Sequence, residues 1–519
     1  MRSFALRVAT VEVALAAIIT GSTWAIIGAA LAALALVRIR RKWLYQWTAQ
    51  ALRFRFRRRS LPPGSGPMGL LELLRPAAII GSIDVDGVNV GVIEDARGMS
   101  ALIELGDPGE LVTELRSLTT TRIPTADGIH LQLLISATAA ADGPGAAATS
   151  YRQLTEGRVL ARRRILVVVR AETDGTALAG AVRRVRRRLE PCRPLGPDTV
   201  PRALAELAHQ DPAHPFHESW SAVELGGVRQ TTFKLRAWPE TLLLDRLLTI
   251  PGTATTVALT ADSLTIRLAG PDTGALARLL DVERLNGSHR DGLAGTLPLG
   301  SDGGTALPPL TFRTGGDGLV IGVDRHGAPV AVRLFRPEPT RAVLVGDLRC
   351  AATIVLRALA VGAEVLIRSS RPYAWEPFLR GLSGAEPVAL VPPGRPPDPP
   401  TGARLTVVDV GPAGQAPAEA GTTLFVREDL AGADADLLAR ADLAILQPLA
   451  PDQVAIAASA LGLGDAAGWL TRTSKDMVAV VAGRRTLRWA LLSNTPVEKQ
   501  VIRVPDRAAS MARSPAWES

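Results

Sequence analysis

Arg341-Ala342-Val343-Leu344-Val345-Gly346-Asp347-Leu348-Arg349-Cys350-Ala351-Ala352-Thr353 decides how the second half of this 519-residue chain is read. Ala342–Val345 has the length and apolar character of a buried strand. Gly346 opens a turn, and periodic apolar residues then start a helix. The phosphate-binding pattern G-x-x-x-x-G-K-[ST] occupies such a strand–helix junction, where backbone amides cradle phosphate. Gly346, the spacing and Thr353 fit that pattern. Ala351 stands in place of the second glycine and Ala352 in place of the lysine, so the cation that meets the β- and γ-phosphates is missing. Asp347 adds a carboxylate where phosphate oxygens would sit, and like charges disfavour that. Leu405-Thr406-Val407-Val408-Asp409 has the form of the strand whose aspartate helps to hold Mg²⁺. The expectation is a degenerate P-loop-like scaffold that has lost its nucleotide chemistry, with no catalytic residue and no cofactor.

Around this junction the chain alternates strand and helix: Glu364–Arg368, Ala374–Gly381, Pro387–Val391, Arg404–Val410, Thr422–Arg427, Asp434–Arg440, Asp442–Leu446 and Pro451–Leu461. Such alternation predicts an α/β domain over 310–495 with a mainly parallel sheet. Met477–Ala482 and Thr486–Leu492 close it as a hairpin around Gly483, and 496–519 reads as a flexible tail. Gly- and Pro-rich 296–309 marks a boundary. Before it, 69–309 reads as a mixed α+β cytoplasmic domain with a mostly antiparallel sheet. Its strands are expected at Val88–Glu94, Ser100–Leu105, Ile129–Ser136, Arg164–Arg170, Ser221–Leu225, Arg229–Leu235, Thr255–Thr260 and Ser263–Ala269. Helices are expected at 201–209, 239–248 and 274–286, and a mobile loop at 137–150. Residues 176–190 carry an apolar stripe (Leu178, Ala181, Val182, Val185, Leu189) opposite a run of arginines, an amphipathic helix with a solvated face.

The N-terminus differs in kind. Apolar runs Leu6–Thr20 and Ala25–Val37 flank Gly21-Ser22-Thr23-Trp24, and 1–42 is expected to form a transmembrane helical hairpin with both ends in the cytoplasm. Glu12, inside the first run, is a candidate intramembrane contact. A basic and aromatic segment follows over 43–68, ending in the linker Ser60–Pro67. The expected membrane-interface residues are Trp24, Arg38, Arg40, Arg41, Lys42, Trp43, Tyr45, Trp47, Arg53, Arg55, Arg57, Arg58 and Arg59. Residues 38–59 hold nine Lys/Arg and no acid, which accounts for the whole net charge of +9. The basicity therefore belongs to this segment and suits anionic lipid rather than nucleic acid, which would want a basic face on a folded domain.

Other chemistry is sparse. Two cysteines, Cys192 and Cys350, do not make a disulfide framework. His209, His214 and His217 lie close together, but Pro212 and Pro215 interrupt them and no carboxylate or cysteine completes a ligand set, so no metal is expected. No nucleophile elbow, H-E-x-x-H or C-x-x-C occurs. Only four lysines stand among 59 basic residues, a bias consistent with a high-GC bacterial genome.

Several stretches resemble the EccE family, a membrane component of type VII (ESX) secretion systems in actinobacteria. They are Arg41-Lys-Trp-Leu-Tyr-Gln-Trp47, Val90-Gly-Val-Ile-Glu-Asp95, Tyr151-Arg-Gln-Leu154, Leu204-Ala-Glu-Leu-Ala208, Glu218-Ser-Trp220 and Gly226-Gly-Val-Arg-Gln-Thr-Thr-Phe-Lys-Leu-Arg-Ala-Trp-Pro239. The resemblance implies a non-catalytic subunit of an inner-membrane complex whose partners are of the EccB, EccC and EccD types, with EccC supplying nucleotide hydrolysis. The alternative is a membrane-tethered P-loop-like nucleotide-binding protein or enzyme using 341–446.

Overall fold

The computed structural model describes Glu12, residues 37–39 and 42–502, apart from 107–109, 113, 141–144, 173–174, 237–240, 251, 271–275, 277–280, 301–302, 337, 383, 385, 393–402, 412–420 and 484–485. These residues form mixed α/β domains around two large sheets.

The first sheet has thirteen strands between Ser60 and Arg284. At its middle, Ile129–Thr138 pairs antiparallel with Arg162–Ala171, from Ile129 opposite Ala171 to Thr138 opposite Arg162. Side chains alternate between faces along a strand. Leu131, Leu133, Ile135, Ile165, Val167 and Val169 enter one core. Leu134, Leu166 and Val168 enter another. Both faces are thus covered, which explains why Ile165–Val169 is uninterruptedly apolar. Helix α3 (Gly175–Arg188) closes one face through Leu178, Ala181, Val182 and Val185. Helix α4 (Thr199–Ala208) closes the other through Val200, Ala203, Leu204 and Leu207. Helix α1 (Leu44–Phe56) lies against Trp220 at the margin of this sandwich, and helix α2 (Ala146–Thr155) packs on the second domain instead.

The second sheet has ten strands. Five parallel ones are β1 (Thr340–Val345), β2 (Glu364–Ser369), β3 (Arg404–Asp409), β4 (Thr422–Arg427) and β5 (Leu443–Leu446), in the order β5-β1-β4-β3-β2. Val388–Leu390 continues the parallel edge beyond β2. Past β5 the sheet turns antiparallel through Met477–Ala482, Thr486–Leu491, Leu319–Val323 and Pro329–Val332. Helix α5 (Leu348–Ala360) follows β1, and helix α6 (Pro372–Gly381) follows β2. The chain leaves β1 for β2, works back to β4, then crosses to β5. The carboxyl end of β1 is therefore the point where the winding reverses, the place where open α/β sheets bind ligands.

The two sheets meet at α2. Although it lies in sequence between strands of the first sheet, its Ala147 and Tyr151 belong to the core of the second. The Tyr151 hydroxyl donates to the Gly318 carbonyl at 3.0 Å and accepts from the Val320 N–H at 3.1 Å. Burial pushes this phenol up to about 12, so it keeps its proton. Beside it, Arg357 of α5 and Glu498 of helix α7 (Pro496–Val501) form a fully buried ion pair at 2.8 and 3.0 Å. The remaining Arg357 donors reach the carbonyls of Val320, Ile321 and Ser493.

The transmembrane hairpin is corrected: among the described residues no helix is long and apolar enough to cross a membrane. Most of 1–42 lies outside those residues; Glu12, described singly, is exposed. Other elements differ from the sequence reading. Residues 146–155, within and after the expected loop, form α2, because Ala147 and Tyr151 find an apolar wall in the second domain. Ser60-Leu61 of the expected linker pairs with Phe216-His217. Val282–Arg284 is a strand on Val228–Leu235, where a helix over 274–286 was expected. The first six residues of the expected tail form α7, held by a capping box in which the Thr495 hydroxyl accepts from the Glu498 N–H and the Glu498 carboxylate accepts from the Thr495 N–H.

Removing one member of a buried ion pair leaves the other charge stranded at a cost of about 3–5 kcal/mol. Glu498→Ala should lower unfolding free energy by that order in denaturant titrations. Glu114→Ala, which breaks the exposed pair with Arg488, should cost less than about 1 kcal/mol.

The fully buried His289 gives a second expectation. Its Nδ1 accepts the Thr232 N–H at 3.2 Å, which fixes a neutral ring with the proton on Nε2. Burial, reinforced by Arg284, Arg57 and Arg229, holds its pKa at about 3 against 6.5 for a free histidine. The unfolded chain then binds more protons between these values, so stability is full above about pH 6.5 and declines as pH falls towards 3. The loss is about 2 kcal/mol at pH 5. Unfolding free energies measured from pH 7.5 to 5 should show this slope added to a similar one from His209, which burial also holds at about 3, and His289→Asn should make the profile shallower without removing it.

Candidate functional site

The carboxyl edge of the parallel sheet brings together the residues singled out from sequence. Gly346 and Asp347 end β1, Asp409 ends β3, Arg427 ends β4 with Glu428 just beyond, and Gln447 follows β5. Only Gly346 and Asp347 separate β1 from α5. A loop of that length cannot wrap a phosphate. The residues aligned with the rest of the phosphate-binding pattern lie in the first two turns of the helix instead.

Asp347 is the N-cap of α5, and its carboxylate accepts from the Cys350 N–H at 2.8 Å. This is the ordinary reason for an aspartate before an apolar-periodic run. It also occupies the positive helix end that an anion would need. The Gln447 side-chain oxygen accepts the Asp347 N–H at 2.7 Å, and its amide donates to the Lys475 carbonyl at 2.9 Å. The Gly346 N–H donates to the Arg427 carbonyl at 2.8 Å. Gly346 has no room for a Cβ because Gln447 lies against it. The N–H groups of Gly346, Asp347 and Cys350 are therefore taken up by the chain itself.

Ala351 and Ala352 are fully buried within α5. The Thr353 hydroxyl donates back to the Arg349 carbonyl at 2.9 Å rather than facing a ligand. Asp409 is buried in a closed network. Arg371 grips both of its oxygens at 3.0 Å, the Ser369 hydroxyl donates at 2.8 Å, and the Trp375 indole N–H donates at 2.9 Å. Arg371 also pairs with Glu428. Burial works against the Arg371 charge, but the two carboxylates outweigh it and raise its pKa. Asp409 thus anchors the first turn of α6 to the sheet.

The sequence reading did not single out Arg371, Trp375 or Gln447. Each lies 34 or more residues from the group it satisfies, and only the sheet order makes them neighbours. Among the described residues no three His, Cys, Asp or Glu side chains converge to hold a metal. His209 is pressed down to about 3 by burial, with Arg267 and Arg162 adding repulsion. His214 pairs with Asp211 at 2.9 Å and His217 is exposed.

Of the expected membrane-interface residues, Trp24, Arg40 and Arg41 lie outside the described residues, and Lys42 and Trp43 form a two-residue strand on Arg38-Ile39. The Arg38 guanidinium lies 5.6 Å from the Trp43 ring. Tyr45 is half-buried on α1. Helix α1 has two faces. Trp47 and Phe54 stack on Trp220, and Gln50 donates to the Asn286 carbonyl. Just past the helix, Arg57 pairs with the buried Glu218 and with Asp291. Arg59 lies over the Phe54 ring. The opposite face is exposed: Leu52 and Phe56 (57% and 83%), with Arg53, Arg55 and then Arg58 around them.

No family model and no curated protein matches the chain. Among solved structures it is similar to the DNA-packaging ATPase B204 of Sulfolobus Turreted Icosahedral Virus, at 11% identity over 30% of this chain and 98% of that one, with a TM-score of 0.22. It is similar also to the genome-packaging NTPase B204 of Sulfolobus turreted icosahedral virus 2 in complex with AMP, at 10% identity over the same shares and the same TM-score. A likeness of that size says nothing about chemistry.

Rebuilding the phosphate-binding pattern tests this geometry. Ala351→Gly places glycine inside a helix at a cost of about 1 kcal/mol. Ala352→Lys buries an ammonium with no partner, and should cost about 3 kcal/mol or more. Denaturant midpoints of the two variants should fall in that order, with no nucleotide affinity gained in either.

Proposed function

We propose that this chain is a non-catalytic structural subunit of a bacterial type VII (ESX) secretion translocon. Its folded domains dock on partner core subunits of the EccB, EccC and EccD types at the cytoplasmic face of the inner membrane. The carrying observation is the filled junction after β1: at the edge where an open α/β sheet meets its ligand, Gln447 binds the Asp347 N–H and Arg371, Ser369 and Trp375 take up Asp409. A fold of this kind with its ligand position occupied by its own side chains supports a scaffold. The choice of assembly rests on the resemblance to the EccE family. The exposed face of α1 supports the location, since Leu52 and Phe56 flanked by arginines suit the headgroup boundary of an anionic bilayer.

Tagged full-length protein extracted from native membranes in mild detergent should bring down a multi-subunit assembly that contains an FtsK-like ATPase. Recovery of this protein alone, together with saturable binding of Mg²⁺–ATP at millimolar concentration, would overturn the scaffold reading and favour the nucleotide-binding one.

A further inference from the structure

We propose that the cleft between the two sheets is a binding site for a phosphoryl-bearing anion. It is a recess of about 100 Å³ walled by the strand starts Arg162–Arg164, by Arg193 and α4, and by the connection Arg333–Arg336 that leads into β1. Clefts between domains are favoured places for small ligands. This inference goes beyond the secretion-subunit reading and does not depend on it.

The charge balance of the walls points to the ligand. Seven arginines line the cleft against four carboxylates. Three of those carboxylates already have partners: Glu104 holds Arg164 at 2.7 Å, Glu206 holds Arg164 and Arg162 at 2.7 and 2.9 Å, and Asp317 holds Arg333 at 2.8 Å. The fourth, Glu338, is exposed at the rim.

Positive charge is left over. Arg202 is exposed on α4 with no partner among the described residues. Arg193 is 49% exposed and comes no nearer to a carboxylate than 3.9 Å from Glu104. The Arg163 guanidinium rests on the carbonyls of Arg313 and Gly315, and its buried Nε has no hydrogen-bond partner. Burial pulls the Arg163 pKa down, with Asp317 and Asp245 opposing that and Arg313 and Arg333 adding to it. An anion in the cleft would relieve that penalty. Forked guanidinium donors match the tetrahedral oxygens of a phosphoryl group.

The test uses the full chain and inorganic pyrophosphate at fixed ionic strength, followed by calorimetry and by the shift in melting temperature. Saturable binding is expected. Arg193→Ala/Arg202→Ala, both exposed side chains, should weaken it at least tenfold while leaving the ligand-free melting temperature unchanged. Arg184→Ala/Arg187→Ala, on the outer face of α3, should leave it unaltered. Absence of saturable binding, or equal weakening by both double variants, would overturn the site. Phosphatidylglycerol vesicles identify the source. Vesicle binding that is lost in Arg193→Ala/Arg202→Ala and displaced by pyrophosphate makes a lipid headgroup the ligand. Vesicle binding indifferent to both makes it a free phosphoryl compound.

Discussion

The buried guanidinium of Arg357 is the contact that builds the wall of the second sheet on which helix α2, from the first, is seated. It lies in the middle of α5, the helix that packs against the second sheet, and its donors run outward in four directions. Two carbonyls of Leu319–Val323 and one of Ser493 are held by it, and so is the carboxylate of α7. A charge in that position is tolerable only because Glu498 neutralises it and the carbonyls use its remaining donors. The result is a single knot. Helix α2 is drawn into the same place, with the Ser150 hydroxyl 2.6 Å from that of Thr495 and Tyr151 bridging Gly318 and Val320. A helix donated by the first sheet and a helix from near the end of the chain therefore share one wall. The relation between the two sheets follows from side-chain chemistry rather than from a linker.

The same use of arginine recurs elsewhere. Arg170, Arg267 and Arg357 are among the largest fully buried side chains. Arg170 reaches Asp95, Ser100 and the Leu299 carbonyl. Arg267 has no carboxylate partner among the described residues; it donates to Gln230, Thr256 and the Leu207 carbonyl, and burial lowers its pKa to about 9. Each ties a strand to a loop or helix end by giving several donors at once. The abundance of arginine over lysine, read in the sequence as a genomic bias, thus has structural consequences. A lysine offers a point charge at these places and cannot span carbonyls on two elements.

What the sequence revealed depended on how local the determinant was. The strands β1 to β5 were legible because parallel strands buried on both faces read as unbroken apolar runs, and the runs at 341–345, 404–410 and 442–446 enclose the observed strands to within a residue or two. The degeneracy of the phosphate loop has a local reason that was also written there. Asp347 before a periodic apolar run is an N-cap signal, and accepting it starts the helix before the positions that the motif needs as loop. Thr495-Pro496-Val497-Glu498 likewise carries the spacing of a capping box, obscured by the proline and polar residues beyond. Helix α2 was not legible, because an alanine-rich segment after Gly145 becomes a helix only through the apolar wall that receives it. The partners of Asp409 and Asp347 were hidden by distance along the chain.

Asp409 shows how a carboxylate at the end of a parallel strand can be committed to the fold. An aspartate that holds a metal must keep oxygen lone pairs free for it, and its neighbours must leave a path for water and ligand. At Asp409, Arg371 donates to one acceptor position on each oxygen, while Ser369 and Trp375 donate to the second oxygen as well. These groups come from the end of β2 and from α6 itself, so freeing the carboxylate would mean unseating α6 from the sheet. The energy that a catalyst would hold in reserve for its substrate is here already committed to the fold. The same holds at Asp347, whose carboxylate caps the helix while Gln447 seals the turn.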